Sequence, residues 1–342
     1  MRTLAPPLIL ILAAALPAQA TWWVSPTGND ANPGTQGSPF LTINHANAIA
    51  ASGDVIRLTA GTFGDEQGNV VLGDKDVALV GDGRDSTILV SHSTQDITLP
   101  SGFPTSPTNE AHRPALALRG TARVDIRSLT LDCAFHLPST ARAYCLWAAG
   151  GVDATASDVE FRNARSNPLN GSQRPLGVYV RGDNPSDITR VTLRNCLVHE
   201  FGKGGIVAVF DADLVVEDSV IDGTPHVGLG LPAQNGIQIS YGATGAVRRT
   251  TLTDLWYDPS AWVASGILFY DAGSLLEIED CSLGNCQASF YIYASTPTTY
   301  TGSVRRNTVQ SAQYGIYFSG ASGFSVEDNS FSIGLSGSVD DA

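Results

Sequence analysis

The stretch Asn235-Gly236-Ile237-Gln238-Ile239-Ser240 decides the fold. Ile237 and Ile239 point one way and Gln238 the other, which is the period of two of a β-strand. The same opening, a glycine followed by an aliphatic residue, recurs at 177–180, 205–210, 266–270 and 315–318. A second strand alternates with it in the segments 191–198, 215–221, 247–252, 278–283, 304–309 and 326–331. Each is broken by a small or polar residue, at 195, 218, 250, 281, 307 and 329. Successive breaks are 23, 32, 31, 26 and 22 residues apart. A spacing in the twenties to low thirties that varies only through loop insertions marks a solenoid.

Every unit alternates β-branched or aromatic residues with polar ones, and none carries a helical stripe. Strands separated by tight turns within one coil pair in parallel with the same strand of the next coil, about 4.8 Å away. Apolar side chains then stack inside. The recurrent Asn, Asp, Thr or Cys is expected at one bend, because Asn and Asp tolerate left-handed backbone. The glycine is expected at another corner, where no side chain fits. Segments 124–131 and 156–161 continue the second strand upstream, and 70–72, 77–80 and 87–90 give earlier rungs. The first coil needs a cover, since an open strand edge recruits other chains. Residues 43–51 read as a short amphipathic helix with Ile43, Ala46, Ile49 and Ala50 on one face, an N-terminal plug. No equivalent is visible at the other end, and residues 334–342, small, polar and acidic, are expected to form a flexible tail. The chain therefore reads as all-β: a single-stranded parallel β-helix over residues 21–333 with a short N-terminal capping helix.

Residues 1–20 have the grammar of a signal peptide: one arginine, an apolar run from Leu8 to Leu16, and Ala18-Gln19-Ala20 as a small-x-small cleavage site. Thr21 is the expected mature start, and the expected location is secreted, periplasmic or in the cell envelope. No later segment is long and apolar enough to span a membrane. The net charge is −13, which argues against nucleic acid. Only two lysines occur, Lys75 and Lys203, so candidates for a lysine base are few. Five cysteines in an exported chain allow pairing. Cys133 with Cys145 is the best pair, Cys281 with Cys286 a second option, and Cys196 is left as a small buried hydrophobe. Cys133 with His136 and Cys196 with His199 are isolated half-sites that argue against zinc. No cofactor is fixed. Calcium is the one considered, at Asn29-Asp30 or at Asp211 and Asp213, neither with EF-hand spacing.

The N-terminal motif WVSPTGNDANPGTQGSPFLTI at 23–43, with GDVIRLTAGTF at 53–63 and VALVGDG at 77–83, resembles the opening of secreted right-handed parallel β-helix proteins of the pectin-lyase-like superfamily. The resemblance implies a right-handed coil and a groove on its outside, built from stacked strands and long loops. It does not choose an activity, because the superfamily includes polysaccharide lyases, glycoside hydrolases, uronan epimerases and uncharacterised repeat proteins. The paired-aspartate and Gly-His-Gly motifs of polygalacturonases are missing, as is the arginine-rich strand of pectate lyases. Thr224-Pro225-His226 only echoes the Asp-Pro-His of epimerases.

Polar residues after corresponding corners of the longest coils are the site candidates. Lys203, His226, His199, Glu200 and Asp222 are the expected catalytic residues, with Lys203 and His226 as the best base pairing for a lyase. Trp256, Tyr257, Asp258 and Trp262 are the expected substrate-binding residues, since aromatic rings stack on sugar faces. Paired carboxylates would instead suit hydrolysis. Each has a plainer reading: Lys203 fills the slot of Gln234 as a turn residue, the histidines are ordinary loop residues, and the aromatic residues fold back as a lid. Tyr291, Tyr293, Tyr300, Tyr314 and Tyr317 read as cross-coil stacking rather than a sugar face. The expected partner is a polysaccharide or cell-surface glycan, met by a carbohydrate-active protein, a lyase or hydrolase of an acidic polysaccharide. The alternative is a non-catalytic glycan-binding or structural β-helix protein.

Overall fold

The computed structural model describes residues 19–100, 109–137, 142–182, 186–258 and 262–338. The expected signal peptide lies, but for Gln19 and Ala20, outside them. The strands form one continuous sheet wound into coils. Asn235–Ser240 pairs in parallel with Gly204–Val209 before it and Ser265–Tyr270 after it. Among the described strands one pair is antiparallel, Ile97–Pro100 with Asn109–Arg119, and every other ladder is parallel; the isolated bridge Thr35–Ser38 is also antiparallel. The parallel register brings residues some 20–30 positions apart into contact along the coil axis, as expected.

Each coil has three faces. The first holds the glycine-led strands, from Leu176–Arg181 through Ser265–Tyr270. The second holds Thr189–Arg194, Ala212–Glu217, Thr244–Arg248 and Leu275–Glu279. The third holds Leu197–His199, Val220–Val227, Thr251–Tyr257 and Ser282–Cys286. Their inward residues, such as Ile206, Ile237 and Ile267 or Leu214, Val247 and Ile278, form one buried core along the axis.

The glycines of the first face have ordinary backbone. Their role is close approach: a Cβ on Gly205 would lie 2.7 Å from the Gly236 carbonyl oxygen, and one on Gly236 2.8 Å from that of Gly266. The bend expected at 195, 218, 250, 281, 307 and 329 resolves into two adjacent columns. Left-handed backbone falls at Asn195, Asp218, Arg249, Asp280, Arg306 and Asp328. The residues after them turn inward: Cys196, Ser219, Thr250, Cys281 and Asn307 are buried, and Asn329 half-buried. The expected spacings are thus off by one wherever the list crossed columns. Inside, the column wires coils together. Asn307 Oδ1 accepts from Cys281 N at 2.9 Å, and Asn307 Nδ2 donates to Ile278 O at 3.2 Å and to Asn329 Oδ1 at 2.9 Å.

Outside the same bend, charges alternate in register: Arg194, Glu217, Arg248, Glu279, Arg305 and Glu327. Glu217 pairs with Arg194 at 3.2 Å and with Arg248 at 3.1 Å. In the left-handed column Arg249 meets Asp218 at 2.7 Å and Arg306 meets Asp280 at 2.8 Å.

The helix Ile43–Ile49 forms as expected and is capped by Thr42, whose hydroxyl accepts from His45 N at 3.2 Å. Ile43, Ala46 and Ala50 are buried, but Ile49 points to solvent, which narrows the plug's apolar face. The last strand, Ser330–Ser338, crosses the boundary drawn at 333; residues 339–342 of the expected tail lie outside the described residues. All five cysteines are free. Cys133 and Cys145 are nonetheless neighbours, with sulfurs 3.6 Å apart. Burial pushes the thiols of Cys196 and Cys286 up to about 12, so they are inert core residues.

Candidate functional site

The third face carries most of the expected catalytic residues, and the register aligns them. His199 lies opposite Asp222, Asp222 opposite Thr253, and Val227 opposite Tyr257. Residues 199, 226 and 257 therefore lie on one wall. Their side chains, however, belong to separate settings.

His199 is a member of a polar network. Its Nε2 is 2.8 Å from Glu160 Oε1, while Glu160 Oε2 accepts from Thr130 Oγ1 at 2.7 Å and from Arg162 at 3.2 Å. Arg162 Nε reaches Asp132 at 2.8 Å, and Asp132 also accepts from Asn163 at 2.8 Å. Burial pushes the Glu160 carboxyl up, but the hydrogen bonds from His199 and Thr130 and the Arg162 charge outweigh it and leave it below the ordinary value. Glu160, Arg162, Asp132 and Thr130 were missed in the sequence. The available signal was two strands, Arg123–Asp132 and Asp153–Arg162, which set Thr130 opposite Glu160 and Asp132 opposite Arg162, the second strand pairing with Leu197–His199 in the next coil.

Glu200 forms an ion pair with Arg165, whose guanidinium lies 5.7 Å from the Phe135 ring centroid. Asp222 accepts from Thr253 Oγ1 at 2.9 Å. His226 Nδ1 is 3.0 Å from Asp258 Oδ2 and its ring packs 5.4 Å from Trp256, whose Nε1 donates to Asp258 Oδ1 at 3.1 Å. This trio is open to solvent, with His226 and Asp258 side chains 56% and 62% exposed. His226 therefore sits with Asp258 and Trp256, and the expected pairing with Lys203 is not formed.

Lys203 lies instead in a cavity of about 610 Å³. It precedes the strand Gly204–Val209, at the corner where the third face becomes the first. The walls are the loop at 163–175, the loop at 228–234 and the segment before Ser265. Gly171 lets the first two meet, since a Cβ there would lie 2.4 Å from the Gly230 carbonyl oxygen. Lys203, Tyr257, Trp262, Leu231 and Gln173 line the space. Tyr257 is buried against Val227, Ala233 and Ala264, whereas Trp262 is 70% exposed at the mouth.

The Lys203 corner repeats in later coils. Asn235 N donates to Lys203 O, and Ser265 N to Gln234 O, so Lys203 and Gln234 share a slot, as expected. Gln234 is wired into the corner: its Nε2 donates to Phe201 O at 2.7 Å and its Oε1 accepts from Thr224 N at 2.9 Å. Lys203 Nζ donates only to Ala233 O, and no carboxylate pairs with it among the described residues. Its stem keeps some exposure, but the amine is set inside, and burial pushes it down to about 8. An amine without a counter-charge in a walled cavity can act as a base near neutral pH or receive an anionic group. No carboxylate lines the cavity among the described residues, so a two-carboxylate hydrolysis finds no pair there.

Of the calcium candidates, Asp30 is engaged elsewhere. Asp30 accepts from Leu41 N and Thr42 N, each at 2.9 Å, and from Thr42 Oγ1 at 2.8 Å, which fixes the start of the capping helix. Among the described residues no three His, Cys, Asp or Glu side chains gather as a metal site.

A family described as right handed beta helix region matches residues 117–331. The chain belongs to this β-helix family. A family described as a protein of unknown function (DUF1565) matches residues 26–130, the segment that carries the N-terminal motif. No curated protein matches the chain. Among solved structures, the β-helix is similar to XylC in complex with xylose, at 11% identity, TM-score 0.57, covering 90% of this chain and 69% of that one. It is also similar to alginate lyase from Paenibacillus sp. str. FPU-7, at 17% identity, TM-score 0.51, covering 94% and 97%. Pectate lyase Pel9A follows at 13% identity, TM-score 0.50, covering 92% and 79%. These likenesses share the pectin-lyase-like coil, the fold that the N-terminal motif and the repeats imply. No described helix is long and apolar enough to cross a membrane.

Proposed function

We propose that this is an exported carbohydrate-active β-helix protein that binds an acidic polysaccharide at the Lys203 cavity and cleaves it by β-elimination. The observation that carries the reading is the Lys203 amine, pushed down to about 8 by burial and without a carboxylate partner among the described residues, in a 610 Å³ cavity with Tyr257 and Trp262. In a β-elimination a base removes the proton next to the uronate carboxyl, the electron pair forms the ring double bond, and the glycosidic oxygen leaves with a proton. Lys203 as free amine takes the first proton, and the Tyr257 hydroxyl is the group in the same cavity that can supply the second. Trp262 at the mouth offers a face for a sugar ring. The lyases among the β-helix neighbours, named for alginate and pectate, suit the same polymer class.

A second reading has its own observation. Lys203 shares its slot with Gln234, which only ties the corner together, so Lys203 could be a structural residue of a glycan-binding protein without turnover. A panel of uronate polysaccharides decides. Growth of the ultraviolet absorbance of unsaturated ends, lost by a factor of about 10²–10⁴ in Lys203→Met, supports elimination. New reducing ends without that absorbance mean hydrolysis. Binding without products, unchanged in Lys203→Met, establishes the second reading.

A further inference from the structure

The outward side of the first face carries a set of rings that the Lys203 cavity does not use. Phe210 stacks on Tyr241 at 5.9 Å between centroids, Tyr241 meets Tyr270 at 5.5 Å, and Tyr270 stacks on Tyr293 at 4.8 Å. This line advances one ring per coil along the axis. From Tyr293 the rings turn across the face through Tyr291 to Tyr317, the last pair 5.0 Å apart, and end at Tyr314. All are half-buried, so each packs on its neighbour and still shows an edge or face to solvent. A hollow of about 130 Å³ opens between Tyr291, Tyr314 and Tyr317 and shares Val263 with the Lys203 cavity.

We infer that this arc of rings is a binding track for a polysaccharide chain leaving the Lys203 cavity along the coil axis, an inference that rests on the carbohydrate reading above. Three features point to sugar. Six of the seven rings are tyrosines, which join an apolar face to a hydroxyl. Beside them lies the half-buried amide of Gln238, held in place because Asn235 Nδ2 donates to its Oε1 at 2.9 Å and its Nε2 donates to the buried Ser240 Oγ at 3.1 Å. The rise of about 4.8 Å per coil is close to the advance of one pyranose unit along an extended chain.

Neighbouring coils supply substitutions that the fold already accepts. Leu268 occupies the column of Tyr291 and Tyr317, and Ser240 and Ser319 that of Tyr293. Tyr291→Leu, Tyr317→Leu and Tyr293→Ser should keep the wild-type melting temperature. The test measures affinity for alginate and polygalacturonate fractions, from short oligomers to long chains, by calorimetry. Wild-type affinity should rise with chain length, and each substitution should weaken the long chains about three- to ten-fold while leaving the shortest oligomers unchanged. Affinity independent of length, or long-chain affinity untouched in all three variants, overturns the track alone. No binding of any fraction by the wild-type chain overturns both the track and the carbohydrate reading. Self-association that is lost in Tyr291→Leu and indifferent to sugar overturns the track in favour of a second copy on this face.

Discussion

Lys203 is the group on which the proposed function rests, and its protonation sets two opposed expectations. Burial lowers its folded value to about 8, below the value of about 10.4 in an unfolded chain. Between those values the unfolded state binds more protons, so stability from this group rises with pH across that window and is lowest below pH 8. Lys203→Met should therefore raise stability by about 1–2 kcal/mol at neutral pH and flatten the rise between pH 8 and 10, read by thermal melts over a pH series. In the proposed elimination the same free amine takes the proton, so turnover by that route should climb as pH rises toward 8 and level off above it. A glycine makes the second residue-scale case. Gly236→Ala places a Cβ 2.8 Å from the Gly266 carbonyl oxygen and 2.8 Å from Leu255 Cδ1. It should cost about 1–3 kcal/mol by overpacking, measured by denaturant unfolding.

At the scale of the elements, matched columns hold the coils in register. A parallel strand slipped by one residue would turn its apolar set outward, and two devices resist that. The inward column bonds coil to coil through Asn307 and Asn329, and the outward one alternates Arg with Glu. Glu217 faces Arg194, Arg248 and Arg249. Glu217→Arg puts a fourth guanidinium among them and should lower the melting temperature by about 2–4 °C for each kcal/mol lost, with partial recovery in high salt. The network between strands at Glu160 behaves oppositely to Lys203. Its carboxyl lies below the ordinary value, so its contribution is present above the unfolded value of about 4.3 and fades as pH falls through the lower folded value. Glu160→Gln should remove that part of the acid sensitivity, visible as a shallower loss of stability below pH 4.

For the molecule as a whole, a solenoid is as secure as its ends. Each coil contacts only its neighbours, so stability is shared locally. The capping helix covers the first coil through Ile43 and Ala46, both fully buried. Ile43→Asp should undo that cover and expose the first strand edge, which light scattering would register as aggregation at concentrations where the wild-type chain is monodisperse. At the other end, Ser330–Ser338 pairs only with Thr308–Glu327 among the described residues. Amide exchange should be fastest there and slowest around Asn235–Ser240, which is bonded on both sides.

Much of this was legible in the residue order. Period-two alternation in Asn235–Ser240 and its repeats specifies strands, and the spacing of the repeats specifies coils, because both are local properties carried by the chain itself. The apolar face of residues 43–51 announced the helix for the same reason, though Ile49 turned outward. The bend was read one position out at 250, 281, 307 and 329: an arginine at 249 or 306 gives no local sign of left-handed backbone, whereas Asp280 and Asp328 carried that sign beside the residue chosen. What the tertiary structure alone decided is which outward side chains meet. His226 turned to Asp258 and away from Lys203, Glu160 and His199 came together across 39 residues, and the tyrosines joined into one arc. Those meetings depend on loop lengths and on the register between coils, and both are settled only when the inward residues of every coil have packed.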